Sequence, residues 1–297
     1  MKRIISPFLL FFILSSHAFS QNNIVVFQTD FGLKDGAVSA MKGVAMNVST
    51  DLKLFDLTHE IPAYNIWEAA YRLEQTVKYW PAGTVFVSVV DPGVGTARRS
   101  VVLKTKSGHF IVTPDNGTLT LIAKSLGIEA VREIDEAINR RKDSKESYTF
   151  HGRDVYAYTA ARLASGVITY DQVGSLLKPE VVSFSYQEPV HKGKIFKGNI
   201  PMLDVQYGNV WTNISIDMMK SENVKYGDVL HFIFYKNKQQ VCKIDAPYVA
   251  TFGGVAEGKP LCYFNSLMQL SIALNMGDFA AKYHIGSGPE WSVEVQQ

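Results

Sequence analysis

Val85-Phe86-Val87-Ser88-Val89-Val90-Asp91-Pro92-Gly93-Val94-Gly95-Thr96-Ala97-Arg98-Arg99 decides how this chain is read. Its first six residues are apolar apart from Ser88, the composition of a strand buried on both faces. A Pro/Gly turn follows at once. It carries one carboxylate, Asp91, and two guanidinium groups, Arg98 and Arg99. Open α/β sheets hold ligand chemistry in such charged, Gly-rich loops beyond the carboxyl ends of their strands.

Working outward, strand and helix signals alternate. Ile24-Val25-Val26-Phe27 reads as a buried strand, residues 37–48 as a helix, and Leu52-Lys53-Leu54-Phe55-Asp56-Leu57 as a strand. Ile66, Ala69, Ala70, Leu73 and Val77 recur at helical spacing, Phe110-Ile111-Val112 is a further strand, and residues 155–164 are Ala-rich and helical. This alternation predicts an α/β domain with a mostly parallel sheet. The texture changes after about residue 178. Pro179, Pro189, Gly193, Gly198 and Pro201 punctuate short β-rich runs such as Val229-Leu230-His231-Phe232-Ile233-Phe234-Tyr235. No helical period of note returns until about Met268. Residues 190–297 therefore read as a smaller, mainly antiparallel β domain, and residues 21–185 as the α/β domain.

The start of the chain is read separately. Met1-Lys2-Arg3 is basic, residues 4–14 are apolar apart from Ser6 and Pro7, and Ala18-Phe19-Ser20 has a small-x-small cleavage pattern. Residues 1–20 thus predict a secretory signal and an exported protein, periplasmic where the cell has two membranes. No later segment is apolar for long enough to cross a bilayer as a helix. Charged residues are 20% of the chain and the net charge is +2, so no basic excess points to nucleic acid. The two cysteines, Cys242 and Cys262, cannot make a four-ligand zinc site alone. They can pair in an oxidising compartment or remain buried thiols, and the sequence leaves both open.

Several motifs exclude themselves. Asp30-Phe31-Gly32 and His151-Gly152-Arg153-Asp154 echo kinase signatures in reversed order, without a phosphate loop or a strand lysine. There is no Walker sequence and no nucleophile elbow. The seven histidines show no paired metal-ligand spacing, and His59 reads as a hydrogen-bonded structural histidine.

Eight segments in order carry a resemblance across almost the whole chain after the signal. They are Gln28-Thr29-Asp30-Phe31-Gly32, Met41-Lys42-Gly43-Val44, Thr58-His59-Glu60-Ile61, residues 91–99, Thr113-Pro114-Asp115-Asn116-Gly117, residues 150–154, residues 204–213 and Asn265-Ser266. Together they resemble the S-adenosyl-L-methionine (SAM) hydrolases, or SAM hydroxide adenosyltransferases, relatives of fluorinating and chlorinating enzymes that also use SAM. The resemblance implies an α/β domain followed by a β-barrel-like domain, and a homotrimer with sites between subunits. It implies attack of water on ribose C5′ of SAM, releasing adenosine and methionine, with no metal or organic cofactor.

By the same resemblance Asp91, Arg98 and His151 activate the water. The leaving group is a neutral thioether expelled from a sulfonium, so no general acid is needed. The difficulty lies in placing and activating water, which alignment and a positioned base can supply. Asp30 matches the carboxylate that holds the ribose hydroxyls, and Tyr64 stands near the ribose. Asn209 matches the amide that reads the adenine edge, with Phe252 and Trp211 packing the adenosine half. Asp204 matches the residue binding the methionine ammonium, and Ser266 one near its carboxylate. Arg99 is expected to face solvent or a neighbouring subunit. Leu267 and Leu274 replace two arginines of the fluorinating enzyme and Ala37 replaces a serine, so the methionine end departs from that relative.

The halogenating relatives carry Tyr at the position of Asp91. A carboxylate about 4 Å from a halide repels it by roughly 4 kcal/mol at an effective dielectric of 20. That is nearly a thousandfold in affinity, and it favours water over halide here. An exported adenosine- or SAM-binding protein without turnover is the alternative from a different class.

Overall fold

A computed structural model describes residues 22–297. The signal-like segment, residues 1–20, lies outside the described residues. The N-terminal sheet has six strands: β1 (Ile24–Thr29), β2 (Lys53–Thr58), β3 (Val85–Val89), β4 (Ser100–Thr105), β5 (Phe110–Pro114) and β6 (Ile128–Glu133), in the order β2-β1-β3-β5-β4-β6. Helices α1 (Ala37–Val48), α2 (Ile66–Thr76), α3 (Thr120–Ser125), α4 (Glu136–Asn139) and α5 (Tyr158–Ala164) accompany it.

Strand alternation builds the two cores. Val25 and Phe27 of β1 pack with Val85, Val87, Met41 of α1 and Ala160 of α5. Val26 points the other way, to Phe86, Leu73 of α2 and Ile122 of α3. Successive strand side chains face opposite sides, so one sheet feeds both layers. That is why the run at 85–90 is apolar apart from Ser88.

The sheet is not mostly parallel, contrary to the sequence-based expectation. β1 pairs in parallel with β2 and β3, and β3 with β5. β4 pairs antiparallel with both β5 and β6. The cause is a hairpin: β4 returns as β5 through a tight turn in which Gly108 takes φ +85°. Such a turn forces antiparallel pairing where a crossover helix would force parallel pairing.

The C-terminal part is β-rich and forms two open antiparallel sheets instead of one closed barrel. Its strands are β7 (Val190–Lys192), β8 (Ile195–Asn199), β9 (Met202–Leu203), β10 (Val210–Ser215), β11 (Val229–Lys236), β12 (Gln239–Pro247), β13 (Pro260–Phe264), β14 (Gln269–Leu274) and β15 (Trp291–Gln296). Their orders are β13-β14-β10-β9 and β12-β11-β15-β8-β7. Between β12 and β13 the ladder reduces to a single bridge, Tyr248 with Cys262, directly after Pro247. Proline cannot donate to a ladder, so the sheets do not fuse there. Phe196, Phe232, Ile272 and Val295 fill one core. Two short helices, α6 (Ile216–Ser221) and α7 (Phe279–Tyr283), cap it.

The helical period expected from Met268 is not there. Met268 is a turn residue with φ +59°, and residues 269–274 form the buried strand β14 between β13 and β10. A short apolar run does not separate a buried strand from a buried helix by period alone. Cys242 and Cys262 are both free thiols, and burial pushes both upward from their ordinary pKa.

The two parts meet at Trp67 of α2. Its indole Nε1 donates to the Pro201 carbonyl at 2.9 Å, and Phe184 and Tyr186 pack edge-on against its rings. Among the described residues no helix is long and apolar enough to cross a membrane.

Candidate active site

β1 and β3 are parallel neighbours, with Thr29 beside Val89. The residues that follow them, Asp30 and Asp91, therefore emerge at the same sheet edge although 61 positions separate them in sequence. This is the carboxyl end of the strands, where such sheets bind ligands. Asp30, Tyr64, Asp91, Val94, Phe150 and His151 are among the residues lining a cavity of about 250 Å³ there.

The loop after β3 is folded by its own hydrogen bonds. Val94 N donates to Asp91 O at 3.2 Å and Thr96 Oγ1 to Gly93 O at 2.7 Å, and Gly95 adopts φ +77°. Asn116 Nδ2 donates to the Val90 carbonyl at 2.9 Å, anchoring the base of the loop. The fold brings Arg98 back onto Asp91. Arg98 Nε lies 2.9 and 3.0 Å from the two carboxylate oxygens, and Nη2 lies 2.5 Å from Oδ2. Arg98, not Arg99, makes this pair. Arg99 turns away to the buried Asp115, also at 2.5 Å, while its own side chain stays exposed to solvent.

His151 comes from a distant segment. It immediately precedes a π-helical stretch, Gly152–Ala157, that runs into α5. An inserted π turn re-aims side chains and recurs at functional sites. Gly152 allows the approach: a Cβ there would lie 3.2 Å from the Phe31 ring. His151 is 4% exposed, which places its ring inside the network. Its Nδ1 lies 3.0 Å from Arg98 Nη2 and its Nε2 lies 2.9 Å from Arg140 Nη2.

Burial works against the Arg98 charge, but the Asp91 carboxylate outweighs it and holds the guanidinium above its ordinary pKa. Burial is also the largest influence on His151, and it lowers the pKa. Glu136 opposes it, Arg98 and Arg140 reinforce it, and Asp91 opposes it, leaving His151 below its ordinary 6.5. Burial keeps the Tyr156 phenol protonated beside Ser100, whose hydroxyl accepts from Arg98 Nη1 at 2.9 Å.

The lowered pKa of His151 makes stability depend on pH. Below about 6.5 the unfolded chain binds a proton that the folded chain refuses. This contribution to stability is full above about 6.5 and is lost as pH falls from there toward the folded value. Urea unfolding at pH 7.5 and 5.5 measures the loss. His151→Gln removes that part of the pH dependence.

The remaining sequence-predicted residues divide. Asp30 caps no helix: its Oδ2 accepts from Tyr64 N at 2.9 Å and fixes Tyr64 at φ +67°. Tyr64 is mostly exposed on the rim. Asp204, Asn209 and Phe252 are not at this cavity. They line a second one of about 630 Å³ in the C-terminal part, with Tyr207, Tyr263 and Leu274. There Asn209 Nδ2 donates to Asp204 Oδ2 at 3.3 Å, and the Phe252 and Tyr263 rings lie 4.9 Å apart. Trp211, half-buried in β10 beside Ser271, lines neither cavity. Ser266, exposed in the β13–β14 turn, lines neither as well. His59 is hydrogen bonded at both ring nitrogens, to Thr29 at 2.8 Å and Asp56 at 3.0 Å. Among the described residues no acidic, His or Cys cluster suits a metal ion.

Gly208 lies between Tyr207 and Asn209, which line the second cavity. It has φ +64°, and a Cβ would fall 1.9 Å from Asp278 Oδ1, the oxygen that caps α7 through Ala281 N. Gly208→Ala is expected to cost about 2–3 kcal/mol, from left-handed strain plus a disturbed cap. Urea unfolding with an unchanged slope would confirm a local cause.

A family model described as the SAM hydroxide adenosyltransferase N-terminal domain matches residues 25–174, and the corresponding C-terminal domain model matches residues 198–292. The chain belongs to the SAM hydroxide adenosyltransferase family. Within the family, an (R)-S-adenosyl-L-methionine hydrolase of Methanocaldococcus jannaschii is 44% identical over 145 residues, which is 48% of this chain and 53% of that protein, about half its length. An (R)-S-adenosyl-L-methionine hydrolase of Salinispora tropica is 35% identical over 257 residues, covering 85% of this chain and 90% of its own. A fluorinase of an Actinoplanes species is 27% identical over 90% of this chain and 96% of its own. The solved structure of an uncharacterized conserved protein from Thermotoga maritima superposes with a TM-score of 0.82 at 32% identity, covering 92% of this chain and all of that one.

Sequence reasoning missed Arg140, Glu136, Ser100 and Tyr156 in this family member. Arg140 sits in Asn139-Arg140-Arg141-Lys142, which reads as a solvated charge run. Its spacing from Glu136 is that of an ordinary surface helix pair. Only its 8% exposure distinguishes it.

Proposed function

We propose that this protein hydrolyses S-adenosyl-L-methionine to adenosine and L-methionine. The observation that carries the reading is the Asp91–Arg98–His151 assembly at the edge of the Asp30/Tyr64 cavity, in a chain whose hydrolase relatives align across most of its length. Water oxygen bonds to C5′ as the C5′–S bond breaks. The electron pair stays on sulfur, giving a neutral thioether, and one water proton leaves. Asp91 accepts a hydrogen bond from the water and offsets the positive charge it gains. Arg98 holds both carboxylate oxygens and so fixes the aim of Asp91. A carboxylate at position 91 disfavours halide, which supports hydrolysis over halogenation.

The division into two cavities bears on assembly. The catalytic cavity, about 250 Å³, is below the size usual for a drug-sized ligand, about 300–1,000 Å³. Asp204, Asn209 and Phe252 line a different one. We read the two as half-sites completed between copies of the chain in a homotrimer. In that assembly Asp30 and Tyr64 hold the ribose and Asn209, Phe252 and Trp211 the adenine. Asp204 and Ser266 hold the methionine end. The signal-like residues 1–20 support export.

The test is to incubate the protein lacking residues 1–20 with each sulfur epimer of SAM, since the relatives are named for the R form, and to separate the products. Adenosine and methionine in equal amounts are expected. A 5′-halo-adenosine formed with chloride or fluoride, or no adenosine above the spontaneous rate from either epimer, overturns the reading.

A further inference from the structure

We propose that Arg140 is a positioning residue of this hydrolytic site: with Arg98 it clamps His151 as a neutral imidazole, so that Asp91, not His151, receives the proton of the attacking water. This rests on the hydrolytic reading above. The geometry is direct. Arg98 Nη2 lies 3.0 Å from Nδ1 and Arg140 Nη2 lies 2.9 Å from Nε2. A guanidinium only donates hydrogen bonds and stays charged. A neutral imidazole accepts at one nitrogen, so one of the two contacts is a hydrogen bond at any moment. An imidazolium accepts at neither and would sit between two cations.

Arg140 is itself held in place. Nη2 and Nε lie 2.6 and 3.1 Å from Glu136 Oε2, and the guanidinium lies over the Tyr148 ring at 5.0 Å. Its Nη1 also reaches the Ser147 and Ser144 carbonyls at 3.3 and 3.4 Å. Side-chain exposure is 4%. The titratable and charged groups around His151 are therefore Asp91 and Arg98 from the loop after β3, Glu136 and Arg140 from α4 and its end, and the Tyr148 and Tyr156 phenols. The lowered His151 pKa agrees with this setting.

The proton balance then runs through one carboxylate. The C5′–O bond forms, the C5′–S pair leaves on sulfur, and the water proton passes to Asp91, which returns it to solvent. His151 keeps its charge at zero throughout. That matters for binding as well as for chemistry, because the substrate sulfonium is a cation and an imidazolium beside it would repel it.

The test begins without substrate. Nitrogen-15 histidine spectra are recorded from pH 8 to 5 for wild type, Arg140→Gln and Arg140→Lys, with His151 assigned through His151→Gln. Wild type and Arg140→Lys are expected to titrate His151 below its ordinary 6.5. In Arg140→Gln it titrates higher, close to neutrality. The pH profile of kcat/KM on SAM should then be flat from pH 8 to 6 in wild type. In Arg140→Gln it falls about fourfold over that range as a histidine near its ordinary value protonates, and Arg140→Lys restores the flat profile. A wild-type His151 that titrates at or above 6.5 overturns the proposal, even if Arg140→Gln does not fold. An identical titration in wild type and folded Arg140→Gln overturns it too. If neither sulfur epimer is hydrolysed, the spectra still decide the clamp while the product assay decides the function.

Discussion

Asp91→Ala is expected to lower kcat for SAM hydrolysis by about 10²–10⁴-fold, the contribution typical of a positioned general base. Two losses combine. The water loses its acceptor, and Arg98 loses the partner that fixes it. Asp91 and Arg98 are 5% and 11% exposed at their side chains, so the pair is largely removed from water. Deleting one member of such a pair leaves a buried charge uncompensated and costs about 3–5 kcal/mol. Activity and stability should therefore fall together. Asp91→Asn keeps the shape but removes the charge and turns an amide N–H toward an arginine that also donates, so it too should lower both. Saturating-substrate product analysis measures the rate, and urea unfolding measures the stability. A kcat within tenfold of wild type in folded Asp91→Ala would remove Asp91 from the chemistry.

Trp67→Ala is expected to destabilise the protein by about 3–5 kcal/mol, the range for truncating a buried aromatic to alanine. Trp67 is 6% exposed and joins the two parts of the chain. Its N–H bond to Pro201 O and its contacts with Phe184 and Tyr186 all disappear at once. Trp67→Phe retains most of the packing and loses the hydrogen bond, so it should cost about 1–2 kcal/mol, mainly for the orphaned carbonyl. Urea unfolding followed by circular dichroism reads both. If the two parts unfold separately in Trp67→Ala, two transitions replace one. A loss below 1 kcal/mol would show that the parts are held together elsewhere.

The α/β character of the first part was legible because residues 24–27, 85–90 and 110–112 are apolar runs with helical periods between them. The β4–β5 hairpin was not. Ser100-Val101-Val102-Leu103-Lys104-Thr105 was hidden behind the charged loop that precedes it, and its pairing direction is set by a short turn at Gly108. The catalytic candidates Asp91, Arg98 and His151 were legible through motif resemblance, and the structure brings those three side chains together. Arg140 was not legible, because a basic run looks the same whether it is solvated or buried.

By itself, the sequence determined which strands can be buried on both faces, where a charged Gly-rich turn interrupts them, and which titratable groups the chain owns. Composition and spacing suffice for that, since each is a local property. The tertiary structure decided which groups meet. Parallel pairing of β1 with β3 places Asp30 beside the loop of Asp91, and a π turn aims His151 at it. Whether His151 carries a proton was also decided there. Burial is the largest influence, and the guanidinium groups of Arg98 and Arg140, 53 and 11 positions away in sequence, add to it. Electrostatic interaction follows distance in space, and distance in space is a property of the fold.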